Sequence, residues 1–410
     1  MIRSARLVLA SLRAFVRLSR FTFLAGGIAG GALGTAVAAY ESGGVAWPAY
    51  GLAQLTISAF HLMTHYANDY FDRSGDELAV RTAFSGGSGV LVDGSLAPVV
   101  ALRASSACAA VGALAALALW RLVDAPLAAQ LAAAIALLAW SYSAPPLRLA
   151  ARGLGELDTA LVVAVLVPLC AFAAQRHAID ARALAATMPG AAAMIAMMLA
   201  VEFPDLATDA ASGKRNLLVR LGAPAGARLG AGAVAAIYAA AAGALVLGAP
   251  LAFGLAIAAT LPLGFGSVRA LRRRGRGETR EGEGLAGRGV ALFFIVTAYG
   301  ALAFAAAAGV HPGASGQSGA ETKAPGGGVE GSVIDTPTLF ERANAALDAV
   351  RPAIHRDGGD VWLLRIEDGT AFVQMLGACG GCPMSNTTLR GGIEAAILAE
   401  CPEISSVEQV

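Results

Sequence analysis

Charged residues are scarce in this sequence. Only 14% of its 410 residues are Asp, Glu, Lys or Arg, against roughly 25% in soluble domains, and 56% are apolar. The mean hydropathy is +0.63. A single soluble globule cannot bury so much apolar surface, so the composition predicts a polytopic membrane protein.

Lysine and cysteine are also rare. Lys214 and Lys323 are the only lysines, and a net charge of +1 argues against bulk binding of nucleic acid. Five cysteines are too few for a disulfide framework, although Cys379 and Cys382 form a CxxC pair near the C-terminus.

Long apolar runs predict an all-α membrane bundle of about nine transmembrane helices, each able to cross a bilayer of ~30 Å. Closely spaced glycines in the first run, between residues 26 and 34, favour close approach of neighbouring helices. The runs lie at about 21–40, 45–66, 97–120, 125–143, 155–175, 184–203, 226–247, 249–268 and 289–309.

The chain divides into four predicted parts. Residues 1–20 have the pattern of an amphipathic interfacial helix, for which a cleavable signal peptide is the alternative. Residues 21–309 form the membrane domain, and residues 310–336, rich in Gly, Ser, Pro and Thr, form a flexible linker. Residues 337–410 have the composition of a soluble domain.

Arginine placement predicts the orientation. Arginines are frequent in residues 1–20, in 269–288 and in every second loop between them, whereas the opposite loops hold few. The positive-inside rule therefore places the N-terminus on the cytoplasmic side of a membrane that we expect to be the bacterial cytoplasmic membrane.

Two acidic clusters follow directly after apolar runs and, by the same rule, lie on the cytoplasmic side. Three- and four-residue spacings put the carboxylates of each cluster on one helix face. Acidic groups at the mouth of a membrane bundle repel one another unless cations lie between them, and oxygen-rich sites of this kind suit Mg²⁺ with substrate phosphates. The clusters are Asn68-Asp69-x-x-Asp72-x-x-x-Asp76 and Asp205-x-x-x-Asp209.

This pattern predicts a clamp for a diphosphate. Bridging metal would offset the charge that develops on the leaving group as a carbon–oxygen bond breaks. Lys214, Arg215 and Arg148 supply cations for direct phosphate contacts. The apolar bundle would supply a dry pocket for a hydrocarbon tail.

Residues from about 15 to 305 resemble the UbiA superfamily of intramembrane prenyltransferases. Four blocks in the correct order carry the resemblance: Asn68-Asp69-Tyr70-Phe71-Asp72…Asp76, Ser85-Gly86-Gly87-Ser88-Gly89, Tyr142-Ser143-Ala144-Pro145-Pro146-Leu147-Arg148, and Asp205…Asp209…Gly213-Lys214-Arg215…Val219-Arg220-Leu221-Gly222.

The resemblance implies transfer of a polyprenyl group from its diphosphate to an aromatic acceptor, a quinone precursor, within the membrane. It assigns catalysis to Asp69, Asp72, Asp205 and Asp209, and Mg²⁺ binding to these four and Asp76. Asn68, Arg148, Lys214 and Arg215 would bind the substrate diphosphate.

The Gly-Gly, Pro-Pro-Leu-Arg and Gly-Lys-Arg blocks most resemble the 1,4-dihydroxy-2-naphthoate branch, which acts in menaquinone synthesis. Glu202-Phe203-Pro204 stands where that branch has an Asn-rich stretch with Arg, so the acceptor stays open. His61 and His65 lie one turn apart before the first motif, either as polar residues facing the bundle interior or as groups that position the acceptor or its proton.

The C-terminal part has the pattern α-β-β-α-β: helices at 338–355 and 384–400, and strands at 361–366, 371–376 and 404–410. Cys379 and Cys382 precede the second helix, whose dipole favours thiolates. Two thiolates are half of a four-cysteine set, so a cluster or zinc would need a second copy of the domain.

Residues 338–410 resemble the C-terminal NifU (Nfu-type) iron–sulfur scaffold domain. Cys379 and Cys382 would accordingly hold a [4Fe–4S] cluster shared by two subunits, in a homodimer that passes it to recipient proteins. A redox dithiol and unliganded thiols are the alternatives. The blocks that carry the resemblance are Val350-Arg351-Pro352, Arg356-Asp357-Gly358-Gly359-Asp360-Val361, Gly377-Ala378-Cys379-Gly380-Gly381-Cys382-Pro383 and Thr388-Leu389…Gly392-Ile393-Glu394.

The membrane domain and the C-terminal part predict different locations for residues 310–410. Nine crossings from a cytoplasmic N-terminus place residues 310–410 outside the cytoplasm, whereas cluster assembly belongs where thiols stay reduced. Two other functions stay open: a membrane-tethered iron–sulfur carrier with a catalytically inactive bundle, and a transporter. Both acidic motifs argue against a mere anchor, and a transporter would show an inverted repeat.

Overall fold

The computed structural model describes residues 2–77, 84, 87–278, 284–310, 339–356, 359–367, 369–377 and 386–409. The chain forms two compact units, Met1–Gly319 and Ala320–Val410. The boundary between them falls inside the predicted linker 310–336, almost all of which lies outside the described residues, so the linker stays a prediction.

The described part of the first unit is helical, as its alanine- and leucine-rich runs favour. Proline occupies the first turn of the helices that begin at Trp47, Pro98 and Pro126, where its missing N–H costs no hydrogen bond. The helices are α1 (Ile2–Ser19), α2 (Phe21–Ser42), α3 (Trp47–Phe71), α4 (Arg73–Asp76), α5 (Pro98–Leu122), α6 (Pro126–Ser141), α7 (Gly155–Leu161), α8 (Val167–Arg176), α9 (Ala181–Glu202), α10 (Leu206–Ala211), α11 (Leu217–Val246), α12 (Leu251–Ala258), α13 (Leu261–Gly275) and α14 (Leu285–Val310).

All nine predicted membrane segments are helical, which confirms an all-α bundle. Among the described residues, six helical stretches are long and apolar enough to cross a membrane: α2, α5, α7 with α8, α9, α11 and α14. The bent pair of α12 and α13, at 43°, would make a seventh, and α6 is a shorter apolar helix. Nine crossings therefore stay a prediction.

Three irregularities shape the bundle. A π-helical turn, Val162–Leu166, joins α7 to α8, and such turns are frequent at functional sites. Gly222 interrupts α11 with a left-handed φ of 73°. A third feature is the close crossing of α2 and α8, where Gly34 lies against the backbone of Pro168 and Phe172.

The first helix has the two faces expected of an amphipathic segment. Ala14 and Leu18 are buried, whereas Leu9, Leu12 and Val16 are exposed. The predicted helix is therefore present, and its place at the membrane interface stays a prediction.

The second unit has the predicted order α-β-β-α-β, with α15 (Leu339–Arg356), β1 (Gly359–Glu367), β2 (Thr370–Gly377), α16 (Asn386–Glu400) and β3 (Ser406–Gln409). Strand β2 pairs antiparallel with β1 and parallel with β3. The parallel pair needs a crossover, which α16 supplies. Leu347, Val361 and Ile397 lie at the centre of the core. Cys379 and Cys382 lie outside the described residues.

Candidate active site

A cavity of about 290 Å³ lies inside the helical unit. Its apolar wall comes from the middle of several helices and includes Phe60, Ile135, Val163, Met194 and Phe293. Its polar lining comes from helix ends and the loops after them, and includes Asn68, Asp72, Asp76, Asp205, Asp209 and Lys214. Both acidic motifs therefore face one cavity.

The first motif lies at the C-terminal end of α3. Asn68 Nδ2 donates hydrogen bonds to Asp72 Oδ2 and to Ser143 Oγ, each at 2.8 Å. Burial raises the pKa of Asp72 above its ordinary value. Burial, together with the charges of Asp69 and Asp72, raises the pKa of Asp76 to about 7. These carboxylates are crowded and poorly hydrated, a state that a cation would relieve.

Asp69 is buried and turned towards another loop. Its carboxylate accepts the Ser88 backbone N–H, at 3.1 Å from Oδ2, and the Ser88 hydroxyl. Arg20 NH1 lies 3.8 Å from Asp69 Oδ1. Asp69 does not line the cavity. Asp69 therefore holds Ser88 beside the first motif.

The second motif is tied to the chain that follows it. Lys214 Nζ lies 3.6 Å from Asp209 Oδ2, and Asn216 Nδ2 donates to the same oxygen at 2.7 Å. Burial raises the pKa of Asp209. Burial lowers the pKa of Lys214, but Asp209 and Asp72 outweigh it and raise that pKa overall. Protonated Lys214 therefore interacts electrostatically with carboxylates of both motifs.

The two predicted arginines are placed differently. Neither Arg148 nor Arg215 is among the described residues that line the cavity. Arg148 has a left-handed φ of 46°, and its charge lowers the pKa of Asp72 against the effect of burial. The Arg215 backbone N–H donates to Ala151 O at 3.0 Å. Lys214 is the predicted phosphate-binding cation that lines the cavity.

The structure adds residues that the sequence reasoning missed. Arg20 lines the cavity at the start of α2, and Ser143 contacts Asn68. Glu156 Oε1 accepts the Leu217 N–H at 2.7 Å and so connects α7 to the start of α11. Ser143 lies in a block that carries the UbiA resemblance, and Asn216 has a signal of its own, because an Asn directly before an apolar run is typical of a helix N-cap.

The donor set suits a hard cation bound together with a substrate. The Asn68 amide and four carboxylates of the two motifs line the cavity, together with Asp158 and Glu202, and Mg²⁺ prefers a few carboxylates plus phosphate oxygens and water. Among the described residues, no three His, Cys, Asp or Glu side chains are grouped closely enough to hold a metal by themselves. The two motifs therefore fit metal that is completed by a phosphate ligand.

Comparison with known proteins identifies both parts of the chain. Residues 18–282 match the UbiA prenyltransferase family, and since they make up more than half of the chain, the chain belongs to this family. Residues 344–408 match the NifU-like domain. The predicted combination of the two is confirmed.

Solved structures share the fold of the helical unit. A UbiA homolog from Archaeoglobus fulgidus, bound to GPP and Mg²⁺, is 17% identical with a TM-score of 0.53, over 72% of this chain and 100% of that chain. A UbiA homolog from Aeropyrum pernix K1 is 18% identical with a TM-score of 0.51, over 66% of this chain and 96% of that chain.

Curated relatives match the C-terminal part. "NifU-like protein 2, chloroplastic" of Arabidopsis thaliana is 38% identical over 76 residues, which cover 18% of this chain and 32% of that protein. "NFU1 iron-sulfur cluster scaffold homolog, mitochondrial" of Drosophila persimilis is 39% identical over 61 residues, 15% of this chain and 22% of that protein. The chain spans about a third or less of the length of these relatives.

Proposed function

We propose that this protein transfers a polyprenyl group from polyprenyl diphosphate to an aromatic acceptor, with Mg²⁺ as cofactor. The observation that carries the proposal is the cavity in which both acidic motifs and Lys214 meet an apolar wall. Membership of the UbiA prenyltransferase family supports it. The GPP and Mg²⁺ bound to the Archaeoglobus homolog are ligands of the same class.

Each group has a role in the proposed reaction. Mg²⁺, held by Asp72, Asp76, Asp205 and Asp209, would neutralise the diphosphate and the charge that develops on it. Asn68 orients Asp72, and Lys214 donates to a diphosphate oxygen. The C1–O bond breaks as diphosphate leaves with the electron pair, an acceptor ring carbon forms a bond to C1, and the proton of that ring carbon leaves to the released diphosphate.

The apolar wall suits the rest of the substrate. The middle portions of α3, α6, α9 and α14 line the cavity and would hold the prenyl chain away from water. Water exclusion protects an electron-poor C1 from hydrolysis. For the acceptor we propose a quinone precursor, with 1,4-dihydroxy-2-naphthoate first, approached from the cytoplasmic side of a bacterial membrane.

The test uses full-length protein in detergent. Geranyl, farnesyl and longer prenyl diphosphates are combined with 1,4-dihydroxy-2-naphthoate, 4-hydroxybenzoate and homogentisate, with and without Mg²⁺. We expect a prenylated product that depends on Mg²⁺ and falls by at least ~10²-fold in the double variant Asp72→Ala, Asp205→Ala.

Asp124→Asn is the matched control, because this residue lies in the loop between α5 and α6 and outside the cavity lining. Its activity should equal that of the wild type. Absence of product across the whole panel, or full activity in the double variant, would contradict the proposal and favour a tethered iron–sulfur carrier with an inactive bundle.

For the second unit we propose binding of an iron–sulfur cluster, shared by two copies of the chain and passed to recipient proteins. The NifU-like match over residues 344–408 and the α-β-β-α-β order support it. Cys379 and Cys382 would hold a [4Fe–4S] cluster. Anaerobic reconstitution should give visible absorption that is lost in Cys379→Ser and kept in Cys108→Ser.

A further inference from the structure

Helix α3 carries a stripe of polar side chains into the cavity. His61, His65, Asn68 and Asp72 follow one another at spacings of four, three and four residues and therefore share one helix face. All four line the cavity. Asn68 and Asp72 belong to the proposed diphosphate clamp, and the two histidines lie on its apolar side.

The ring of His65 is held in one tautomer. Its Nδ1 lies 3.2 Å from the carbonyl oxygen of Ser19. A carbonyl oxygen can only accept, so the neutral ring donates from Nδ1–H and keeps the lone pair on Nε2. In the part of the chain that the structure describes, no other hydrogen bond to this ring is present. Nε2 is therefore available as a proton acceptor.

Neighbouring rings fix the orientation of His65. His61 packs edge-on against it with ring centroids 4.7 Å apart, and Phe23 packs edge-on at 6.1 Å. A base whose tautomer and orientation are set by a third group is the arrangement that proton-transfer catalysis requires. Within the described residues no hydrogen bond anchors His61, which packs against Gly27.

His65 also lies at the depth in the cavity where we expect C1 of the donor to bind. It precedes Asn68 by three residues, about 4.5 Å along the helix axis. A prenyl diphosphate clamped at Asn68 and Asp72 would place C1 on the apolar side of these residues, next to His65. An acceptor ring that attacks C1 must enter the same space, with its hydroxyl within reach of Nε2.

Asp158 and Glu202 are the competing groups. Both line the cavity, and within the described residues Asp158 Oδ1 and Glu202 Oε2 are buried without a hydrogen-bond partner. In this part of the chain no hydrogen bond orients either oxygen in the way that Ser19 orients His65. The observations therefore favour the imidazole.

We propose that His65 Nε2 is the base that accepts the proton of the acceptor hydroxyl next to the attacked ring carbon; this rests on the proposed transferase function. The O–H bond breaks and its electron pair moves into the ring, the ring carbon bonds to C1, and the C1–O electrons leave with diphosphate. The ring C–H proton then leaves to diphosphate, and the imidazolium returns its proton to the oxygen.

The decisive variant is His65→Asn. An asparagine amide nitrogen occupies the place of Nδ1 and can keep the bond to Ser19, but the basic Nε2 is gone. We expect kcat for 1,4-dihydroxy-2-naphthoate to fall by at least ~10²-fold. The dissociation constant of a thiolodiphosphate analogue of the donor, measured with Mg²⁺, should stay within about twofold and so report an intact clamp. His65→Gln should show the same loss.

An acceptor without the hydroxyl proton distinguishes a role of His65 in proton transfer from a purely structural role. The monomethyl ether of the naphthoate, blocked at the hydroxyl next to the attacked carbon, has no proton for His65 to take. Wild type and His65→Asn should therefore react at the same slow rate with this ether. A purely structural role would give the same ratio of rates with both acceptors.

His177→Asn is the matched control, since His177 is exposed at the end of α8, has a left-handed φ of 58° that Asn tolerates, and does not line the cavity. It should match the wild type. Activity of His65→Asn within fivefold of wild type would overturn this inference but not the proposed transferase function. The inference would also be overturned if Asp158→Asn, and not His65→Asn, reacted with the ether at the wild-type rate. A wild-type protein without any transferase activity would overturn the proposed function as well.

Discussion

At the scale of single residues, Asn216 connects the second acidic motif to the helix that follows it. The side chain is 1% exposed. Its Oδ1 accepts the Val219 N–H at 2.8 Å, which caps α11, and its Nδ2 donates to Asp209 Oδ2 at 2.7 Å. One amide therefore fixes a cavity-lining carboxylate relative to a long helix, because its oxygen accepts one hydrogen bond while its nitrogen donates the other.

We expect Asn216→Asp to weaken binding of the donor diphosphate by at least ~10-fold, about 1.4 kcal/mol. The new carboxylate can still cap α11, but it places a second negative charge against Asp209. The measurement is the dissociation constant of a thiolodiphosphate donor analogue with Mg²⁺. Asn216→Ser keeps a cap and adds no charge, so its affinity for the donor analogue should fall less. Equal affinities in the two variants would contradict this role of the amide.

At the scale of elements, the crossing of α2 and α8 depends on a missing side chain. A Cβ at Gly34 would overlap the carbonyl oxygen of Pro168 and lie 3.0 Å from the backbone nitrogen of Phe172. These atoms belong to the backbone of α8 and cannot turn aside as a flexible side chain could. The glycine spacing in the sequence predicted close approach, and the structure identifies α8 as the partner at this position.

Gly34→Ala should destabilise the helical unit by ~1–3 kcal/mol, because the two helices must move apart. Thermal unfolding in detergent, followed by tryptophan fluorescence, measures the change. Gly232→Ala is the control: Gly232 lies inside α11 with nothing within 4 Å of its would-be Cβ, and alanine favours the helix there. Equal melting temperatures for the wild type and Gly34→Ala would refute the close crossing.

Hydropathy predicted the helices well because each apolar run is continuous along the chain. It could not predict the π-helical turn Val162–Leu166, since hydropathy does not specify the hydrogen-bond pattern of a helix. The break at Gly222 has a local signal, because Gly222 and Pro224 both disfavour a regular helix and the predicted apolar run begins only at residue 226. The acidic motifs were also visible in the sequence, because the residues of each motif lie within nine positions of one another. The anchoring of Asp69 by Ser88, 19 residues away, depends on a loop conformation that no local pattern specifies.

At the scale of the whole molecule, the number of crossings decides which side of the membrane the NifU-like unit occupies. The nine helical segments, taken as nine crossings, put the chain after α14 on the side opposite to the acidic motifs. The basic last turn of α13, with Arg272, Arg273 and Arg274, agrees with this path, because it puts that turn in the cytoplasm. An iron–sulfur scaffold would then face a compartment where thiols oxidise more readily.

Insertion of a protease site at Gly326–Gly328 tests this arrangement. With nine crossings, cleavage should occur from the outer face in right-side-out vesicles and be absent in inverted ones. A second site in the loop 269–288, introduced into a separate protein, should behave in the opposite way and serves as the internal reference. Cleavage of both sites from the same face would mean that α14 does not cross the membrane. If each site is cut from the face opposite to the one expected, the chain makes an even number of crossings from a cytoplasmic N-terminus. The bent pair of α12 and α13 or the short helix α6 would then be the first candidates for a segment that enters the membrane without crossing it, because the pair is bent by 43° and α6 is shorter than the six spanning stretches.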